Sequence, residues 1–341
     1  MSLPLSDLGV TNPVLAAPMA GGPGTPTLVA AAPQAGSLGF LPAGYRNPQV
    51  FAEQLAAVRA AGAPFGVNLF APNPLPVDPV AYRAYAYALR ADADRYGIDL
   101  PDEPVEDDDH WAAKIDLLLA DPAPVTSFTF GVPEASVVAA LRKTGTVVVQ
   151  TVTSADEAVL AAEAGVDALA VQSSAAGGHW GTLTPLRPPA AVGLVDLVAS
   201  VRSVVSLPLV GAGGIASSGD VAAVLRAGAT AVMVGTALLL SDESGASAVH
   251  RAALGDPSRD RTVVTRAFSG RPARGLRNSF TDRFSEQAPV GYPAVHYLTS
   301  PLRRAAAAAG DAELVNLWAG TGYRSAAADS AALILTRLAG G

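Results

Sequence analysis

One histidine lies in a glycine-rich turn, a position from which it could exchange a proton with a bound ligand. His179 follows Gly177 and Gly178 in segment 176–181, directly after the apolar run 168–172. Paired glycines allow positive φ angles and a close approach of backbone to ligand. An imidazole can donate, accept or transfer a proton near neutral pH. Most isolated histidines only make local hydrogen bonds, but a strand end padded with glycines favours a catalytic His179, with Gly177 and Gly178 as ligand contacts.

Two other glycine-rich turns predict a phosphate site. One follows the apolar run 207–211 and precedes a helix expected to begin near Ser217, and the other closes the run 231–235. Glycine-rich backbone amides before a helix N-terminus bind anions. Tight turns are the alternative interpretation, but two such loops in succession favour phosphate. The predicted contacts are Gly213, Gly214, Gly235 and Thr236.

Three further side chains are candidate cofactor contacts. Asn68, near the end of the run 65–70, offers both a hydrogen-bond donor and an acceptor. Gln172 ends an apolar run, and a buried amide there needs a partner. Met19 follows the first apolar run and could form an apolar wall, although a core position explains it equally well.

The elements that must position these residues are eight short apolar runs alternating with helical patterns. Strands that are apolar on both faces suit a parallel sheet wrapped in helices. Eight β/α units favour a closed (β/α)8 TIM barrel, whose active sites lie at the carboxyl ends of the strands. A Rossmann-like sheet is the rival, but segment 18–24 lacks its G-x-G-x-x-G spacing. The predicted strands span 14–17, 38–41, 65–70, 125–130, 147–151, 168–172, 207–211 and 231–235.

Two segments interrupt the alternation. A proline-rich insertion at 71–123 contains helical patterns at 80–96 and 111–119, and it should cover the barrel mouth. The tail contains an arginine-rich stretch and helical patterns at 301–309 and 325–338. We therefore predict a barrel at 1–241, a lid at 242–303 that joins the insertion, and C-terminal helices at 304–341 that return to the barrel.

Composition narrows the classes of function. The chain has 341 residues, 50% of them hydrophobic and 16% charged, with a net charge of −7. A large core can form, and the acidic balance argues against nucleic acid. Without cysteine there is no disulfide or thiolate metal site, and the histidine spacing predicts no metal. Neither a signal peptide nor a membrane-length apolar run is visible, which predicts a soluble cytoplasmic protein with no membrane partner.

Taken together, the motifs resemble those of nitronate monooxygenases, formerly called 2-nitropropane dioxygenases. The similarity covers nearly the whole chain, and it rests on the order of the motifs and their placement at strand ends. The matching segments are Ala17-Pro18-Met19-Ala20-Gly21-Gly22, Phe65-Gly66-Val67-Asn68-Leu69-Phe70, 172–181 with its Gly-Gly-His, Gly211-Ala212-Gly213-Gly214-Ile215, Val234-Gly235-Thr236 and Leu317-Trp318-Ala319-Gly320.

The resemblance implies an FMN-containing barrel with a helical lid. Asn68, Gln172, Gly177, Gly214 and 233–236 would then bind FMN, and His179 would face the substrate. Family members often have glutamine at position 233, so Met233 would contribute backbone only. The implied reaction oxidises an alkyl nitronate with O2 to a carbonyl compound and nitrite, and a homodimer is a further expectation.

His179 has two roles open to it in that reaction. It can donate a hydrogen bond to the nitronate oxygens, or it can abstract the α-proton if a neutral nitroalkane is used. The donor role is the one we favour.

Two other functions remain open from the sequence. The same Gly-Gly-His barrel occurs in FMN-dependent enoyl-acyl-carrier-protein reductases and in NADH:quinone reductases, which NAD(P)H would reduce. A non-redox barrel that binds a phosphorylated metabolite is the third possibility. It is disfavoured because the strand ends lack paired carboxylates for acid–base chemistry.

Overall fold

Eight parallel strands form the centre of the protein. The computed structural model describes residues 7–187 and 191–341. The strands are β1 Val14–Ala16, β2 Phe40–Pro42, β3 Gly66–Ala71, β4 Val125–Phe130, β5 Val147–Val152, β6 Ala168–Gln172, β8 Leu209–Ala212 and β9 Ala231–Val234. Their order in the sheet is β1-β9-β8-β6-β5-β4-β3-β2, and a parallel bridge between Ala16 and Gly39 links the two end strands. The chain therefore folds as a (β/α)8 TIM barrel.

All eight predicted strands are present, and no end is displaced by more than two residues. Nearly all of their residues are buried, because side chains of one face fill the barrel and those of the other pack on helices. Leu15, Phe40, Val149, Val210 and Met233 belong to one apolar cluster. This two-sided burial is the reason that the strands read as continuous apolar runs.

A ring of helices surrounds the barrel, and the last helix closes it. Leu335 of that helix shares an apolar cluster with Val14 of β1, and its carbonyl accepts a hydrogen bond from Asn12. The ring helices are α1 Pro26–Ala31, α2 Pro48–Arg59, α4 Trp111–Ala120, α5 Ala135–Lys143, α6 Ala155–Glu163, α7 Leu194–Val204, α8 Ser218–Arg226 and α12 Ala331–Leu338.

Helices from the insertion and from the tail build a cap with its own core. Tyr82 and Tyr85 of the insertion pack in one apolar cluster with Phe280 and Leu298 of the tail. The Tyr85 hydroxyl also donates to the Ala267 carbonyl at 2.7 Å. The predicted helical lid is therefore present. Its helices are α3 Pro79–Arg95, α9 Ala248–Gly255, α10 Ser279–Phe284 and α11 Ala294–Ala308.

Two helix boundaries differ from the sequence expectation. Helix α11 begins at Ala294 rather than at 301, and Pro301 lies inside it, since packing of Leu298 and Leu302 outweighs one missing hydrogen bond. Helix α12 begins at 331 rather than 325 because Ser330 caps it.

A small antiparallel sheet was not predicted. It joins β7 Gly178–His179, β10 Thr262–Thr265 and β11 Ala273–Leu276, and His179 pairs with Ala273. Its strands are short, and β7 lies far from β11 in sequence, so no local pattern predicted their pairing. The sheet attaches the His179 segment to the tail. Within the described ranges, no helix is long and apolar enough to cross a membrane.

Candidate active site

A cavity of about 650 Å³ opens at the carboxyl ends of the barrel strands, between barrel and cap. Its walls include the loops after β1, β2, β6, β8 and β9 together with one face of α11. All twelve residues predicted as site residues line it. They are Met19, Asn68, Gln172, Gly177, Gly178, His179, Gly213, Gly214, Met233, Val234, Gly235 and Thr236.

The ring of His179 is held by one hydroxyl. Its Nε2 lies 2.8 Å from Ser269 Oγ, and Oγ also lies 3.2 Å from the carbonyl oxygen of Arg271. When the hydroxyl donates to that carbonyl, it accepts from Nε2–H, and Nδ1 carries a lone pair. When the hydroxyl rotates to Nε2, Nδ1 carries the proton. Ser269 therefore permits both neutral tautomers, and Nδ1 has no hydrogen-bond partner within the described residues.

His179 is neutral in this enclosure. Burial lowers the pKa of His179 to about 3, and the positive charges of Arg271 and Arg303 contribute to the shift. A charged imidazolium next to two cations would be unstable unless a bound anion balanced it. The geometry thus favours a histidine that acts as a neutral hydrogen-bonding group.

Aromatic rings confine the imidazole on three sides. Its centroid lies 5.8 Å from those of Phe130 and Tyr292, and 5.4 Å from that of Trp318. Phe130 has a φ of +83°, a conformation that destabilises a non-glycine residue by about 1–3 kcal/mol. The guanidinium of Arg271 covers the Phe130 ring at 4.1 Å. Packing therefore fixes Phe130 against the histidine.

Gln172 fixes the backbone on both sides of Trp180. Its Oε1 accepts from the Gly181 amide at 2.7 Å, and its Nε2 donates to the His179 carbonyl at 3.3 Å. Just beyond, Glu157 accepts from the Thr182 hydroxyl at 2.7 Å. Gln172 lines the cavity as expected, but its amide also positions the His179 segment.

The glycine-rich loops are shaped by close contacts. Gly213 has a φ of +106° and Gly214 a φ of +78°, a region that favours glycine. A Cβ on Gly213 would lie 2.7 Å from Ser173 Oγ. The turn 318–320 packs beside these loops, and the Gly320 amide donates to Thr236 Oγ1 at 2.9 Å. The loops and this turn form one continuous wall.

The start of α8 is closed by its own side chain. Asp220 accepts from the amides of Ala216 and Ser217, at 3.0 and 2.9 Å, and completes a capping box. Those two amides at the N-terminus of the helix therefore already have a partner. The amides of the glycine loops are the donors that remain.

Asn68 presents one end of its amide to the cavity. Its Nδ2 lies 2.9 Å from Ser127 Oγ and 3.1 Å from Thr129 Oγ1 on the neighbouring strand. The carbonyl oxygen Oδ1 has no partner within the described residues. Asn68 can therefore accept a hydrogen bond from a bound molecule.

The sequence analysis missed the cavity residues that come from the cap and from the loop after β2. Tyr45, at a φ of +64°, stacks on His296 with ring centroids 4.2 Å apart, and its hydroxyl accepts from Tyr292 at 3.1 Å. Burial raises the pKa of Tyr45 to about 12. Its position directly after β2, within Gly44-Tyr45-Arg46, was a usable signal. Tyr292 and His296 reach the site only through the fold of the tail, so the sequence contained no signal for them.

The cavity has an unbalanced charge. Arg46, Arg303 and Arg304 line it, and no aspartate or glutamate of the described chain does so. The whole chain has a net charge of −7, so the charge of the cavity lining is opposite in sign to that of the protein. The cavity is suited to anions.

The fold and the site define a TIM-barrel enzyme whose cavity is lined by His179 and by glycine-rich loops at the strand ends. The family model for nitronate monooxygenase matches residues 2–340. The chain therefore belongs to the nitronate monooxygenase family, and it is an oxidoreductase.

Three relatives illustrate the range of similarity. A probable nitronate monooxygenase of Staphylococcus aureus (strain MRSA252) is 36% identical, over 97% of this chain and 94% of that protein. The structure of nitroalkane oxidase from Streptomyces ansochromogenes is 46% identical, covers 99% of this chain and 97% of its own, and has a TM-score of 0.93. FabK from Thermotoga maritima is 26% identical over 99% and 94%, with a TM-score of 0.77.

Proposed function

We propose that the protein is an FMN-dependent enzyme that oxidises alkyl nitronates with O2 to a carbonyl compound and nitrite. The observation that carries this proposal is a cavity that His179 lines together with three arginines and, among the described residues, no carboxylate. Such a cavity suits a small anionic substrate. The Staphylococcus and Streptomyces relatives support the same chemistry by their names.

The residues present fit FMN. The loops at Gly213–Gly214 and Gly235–Thr236 offer backbone amides for a phosphate. Asn68 Oδ1 can accept from a ring N–H, and Met19 supplies an apolar wall. The cavity volume lies within the roughly 300–1,000 Å³ typical of such sites. Bound FMN would supply the redox chemistry, taking electrons from the nitronate and passing them to O2.

His179 orients the substrate in this proposal. A nitronate oxygen that meets Nδ1 selects the tautomer in which the Ser269 hydroxyl donates to Nε2, so that Nδ1–H donates to the anion. A neutral nitroalkane meets the lone pair of the other tautomer. Abstraction of its α-proton leaves an imidazolium near Arg271 and Arg303, which the low pKa of His179 disfavours. The donor role is therefore the stronger one.

The proposal is tested by anaerobic mixing of FMN-loaded protein with propionate 3-nitronate. We expect the flavin absorbance to bleach, and reoxidation by air to release nitrite. His179→Asn keeps a donor but no base, so its rate should fall about a hundredfold on a neutral nitroalkane and less on the nitronate. An unchanged spectrum with every nitronate tried would sink the proposal.

An NAD(P)H-dependent flavin reductase is the second candidate, favoured by the likeness to FabK. It differs in its electron donor. Rapid bleaching of the flavin by NADH, without bleaching by nitronate, would identify this function. If neither reaction occurs and the protein binds no FMN, the function is that of a non-redox barrel that binds a phosphorylated metabolite.

A further inference from the structure

Helix α11 turns one buried cation toward the cavity. Arg303 is only 9% exposed and lines the cavity wall. Its Nε donates to Thr299 Oγ1 at 3.0 Å, and its Nη1 donates to Asn316 Oδ1 at 2.9 Å. Its Nη2 donates to the His296 carbonyl at 3.1 Å and lies 3.3 Å from His296 Nδ1. Each of these partners is uncharged.

The guanidinium has a donor to spare. It carries five N–H groups, and the contacts with Thr299, Asn316 and His296 engage four of them. The fifth belongs to Nη1, the atom already bonded to Asn316 at the cavity wall. A ligand oxygen in the cavity can accept from it.

The positive charge of Arg303 has no counter-ion within the described residues. His296 does not supply one, because burial and the neighbouring Arg303 hold the pKa of His296 well below its ordinary value. Burying an unpaired charge strongly destabilises a folded protein. A neutral glutamine could make similar bonds to Thr299 and Asn316 at smaller cost. A purely structural role therefore leaves the charge of Arg303 unexplained.

We infer that Arg303 is the anion-binding group of the substrate cavity and makes the enzyme select ionised over neutral substrates. This inference rests on the proposed function, and it adds the residue that sets selectivity. An oxygen of the anion would accept from the spare N–H of Arg303. His296, stacked on Tyr45, orients the guanidinium from the other side.

Binding of nitrate, a planar oxyanion, tests the inference without catalysis. Nitrate is titrated into FMN-loaded protein, in which the phosphate loops are filled, and its dissociation constant is read from flavin absorbance and calorimetry. Arg303→Gln should weaken binding about tenfold to a hundredfold, the range for a hydrogen bond to a charged group. Arg303→Lys, which keeps the charge, should retain most of it. Arg226→Gln is the matched control, because Arg226 is exposed in the last turn of α8, away from the cavity.

Three outcomes have a definite meaning. Equal nitrate affinity in wild type and Arg303→Gln would overturn the inference even if nitronates are oxidised. If nitrate binding requires Arg303 but the protein does not react with any nitronate, the anion site is supported and the proposed function is wrong. If Arg303→Gln fails to fold, the double variant Arg46→Gln/Arg304→Gln decides, because of the three arginines that line the cavity it keeps only Arg303. It must bind nitrate at least tenfold more tightly than neutral nitroethane, and equal affinities would contradict the selectivity.

Discussion

At the scale of single residues, the chemistry depends on contacts between segments far apart in the chain. Ser269 meets His179 across 90 positions of sequence. The motif around His179 was sufficient to single out the histidine, since its glycines and strand end are local features. Ser269, Arg271 and Arg303 lie in a tail with no comparable motif. They act on the histidine, by a hydrogen bond or by their charge, only because the tail folds over the barrel, so the sequence could not predict what sets its protonation.

The protonation of His179 can be measured directly. Its ring resonances should not titrate between pH 8 and pH 5, because burial and two arginines lower its pKa to about 3. The test is a pH series by NMR, with His179→Asn used to assign the signal. A midpoint between pH 6 and 7 would show that the cavity is far more polar than its lining suggests.

The same shift affects stability. In the unfolded chain a histidine takes up a proton as the pH falls below about 6.5, whereas folded His179 stays neutral until about pH 3. The contribution of His179 to the free energy of unfolding is therefore complete above pH 6.5 and is lost as the pH falls. Between pH 7 and 5 the wild type should lose about 1–2 kcal/mol more than His179→Asn in urea denaturation.

At the scale of elements, the sequence predicted the barrel strand by strand, and it predicted a helical lid without showing how the lid's helices pack. Each barrel strand is a short apolar run with a helix after it, so local sequence specifies both. The cap brings α3 together with α10 and α11, which follow it by nearly 200 residues. The strand β7 exists only because the tail pairs with it. Elements that depend on such distant partners leave little trace in local periodicity.

Gly177 shows how two elements share one wall of the cavity. A Cβ at this position would lie 2.5 Å from the Gly320 nitrogen and 2.6 Å from the Ala319 carbonyl carbon. Gly177→Ala must therefore push the turn 318–320 away, and it disturbs the bond from Gly320 to Thr236. We expect a loss of about 1–3 kcal/mol in unfolding free energy, together with roughly tenfold weaker FMN binding.

The measurements are chemical denaturation and titration of FMN into the apoprotein. Gly255→Ala is the control, because a Cβ there meets nothing within 4 Å and its φ is not positive. It should leave FMN binding unchanged and should raise the unfolding free energy by no more than about 1 kcal/mol, since alanine favours a helix. FMN binding by Gly177→Ala equal to that of wild type would show that the turn 318–320 does not help to form the cofactor site.

At the scale of the whole molecule, the protein is acidic whereas the lining of its cavity is basic. The net charge of −7 repels small anions at long range, whereas Arg304 and Arg46 line the cavity with no salt bridge in the described chain. Composition alone pointed away from polyanions, and it said nothing about the local reversal of sign. That reversal appears only when the loop after β2 and helix α11 come together.

This arrangement predicts a salt dependence that differs between charged and neutral substrates. Electrostatic attraction is screened over about 10 Å at 0.1 M salt, so kcat/KM for a nitronate should fall severalfold as NaCl rises from about 10 mM to about 300 mM. For a neutral nitroalkane it should stay flat. The double variant Arg46→Gln/Arg304→Gln should reduce the slope for the nitronate, and Arg226→Gln should leave it unchanged. Parallel salt curves for both substrates would mean that the arginines at the entrance do not guide the substrate, and that selectivity resides entirely with the buried cation.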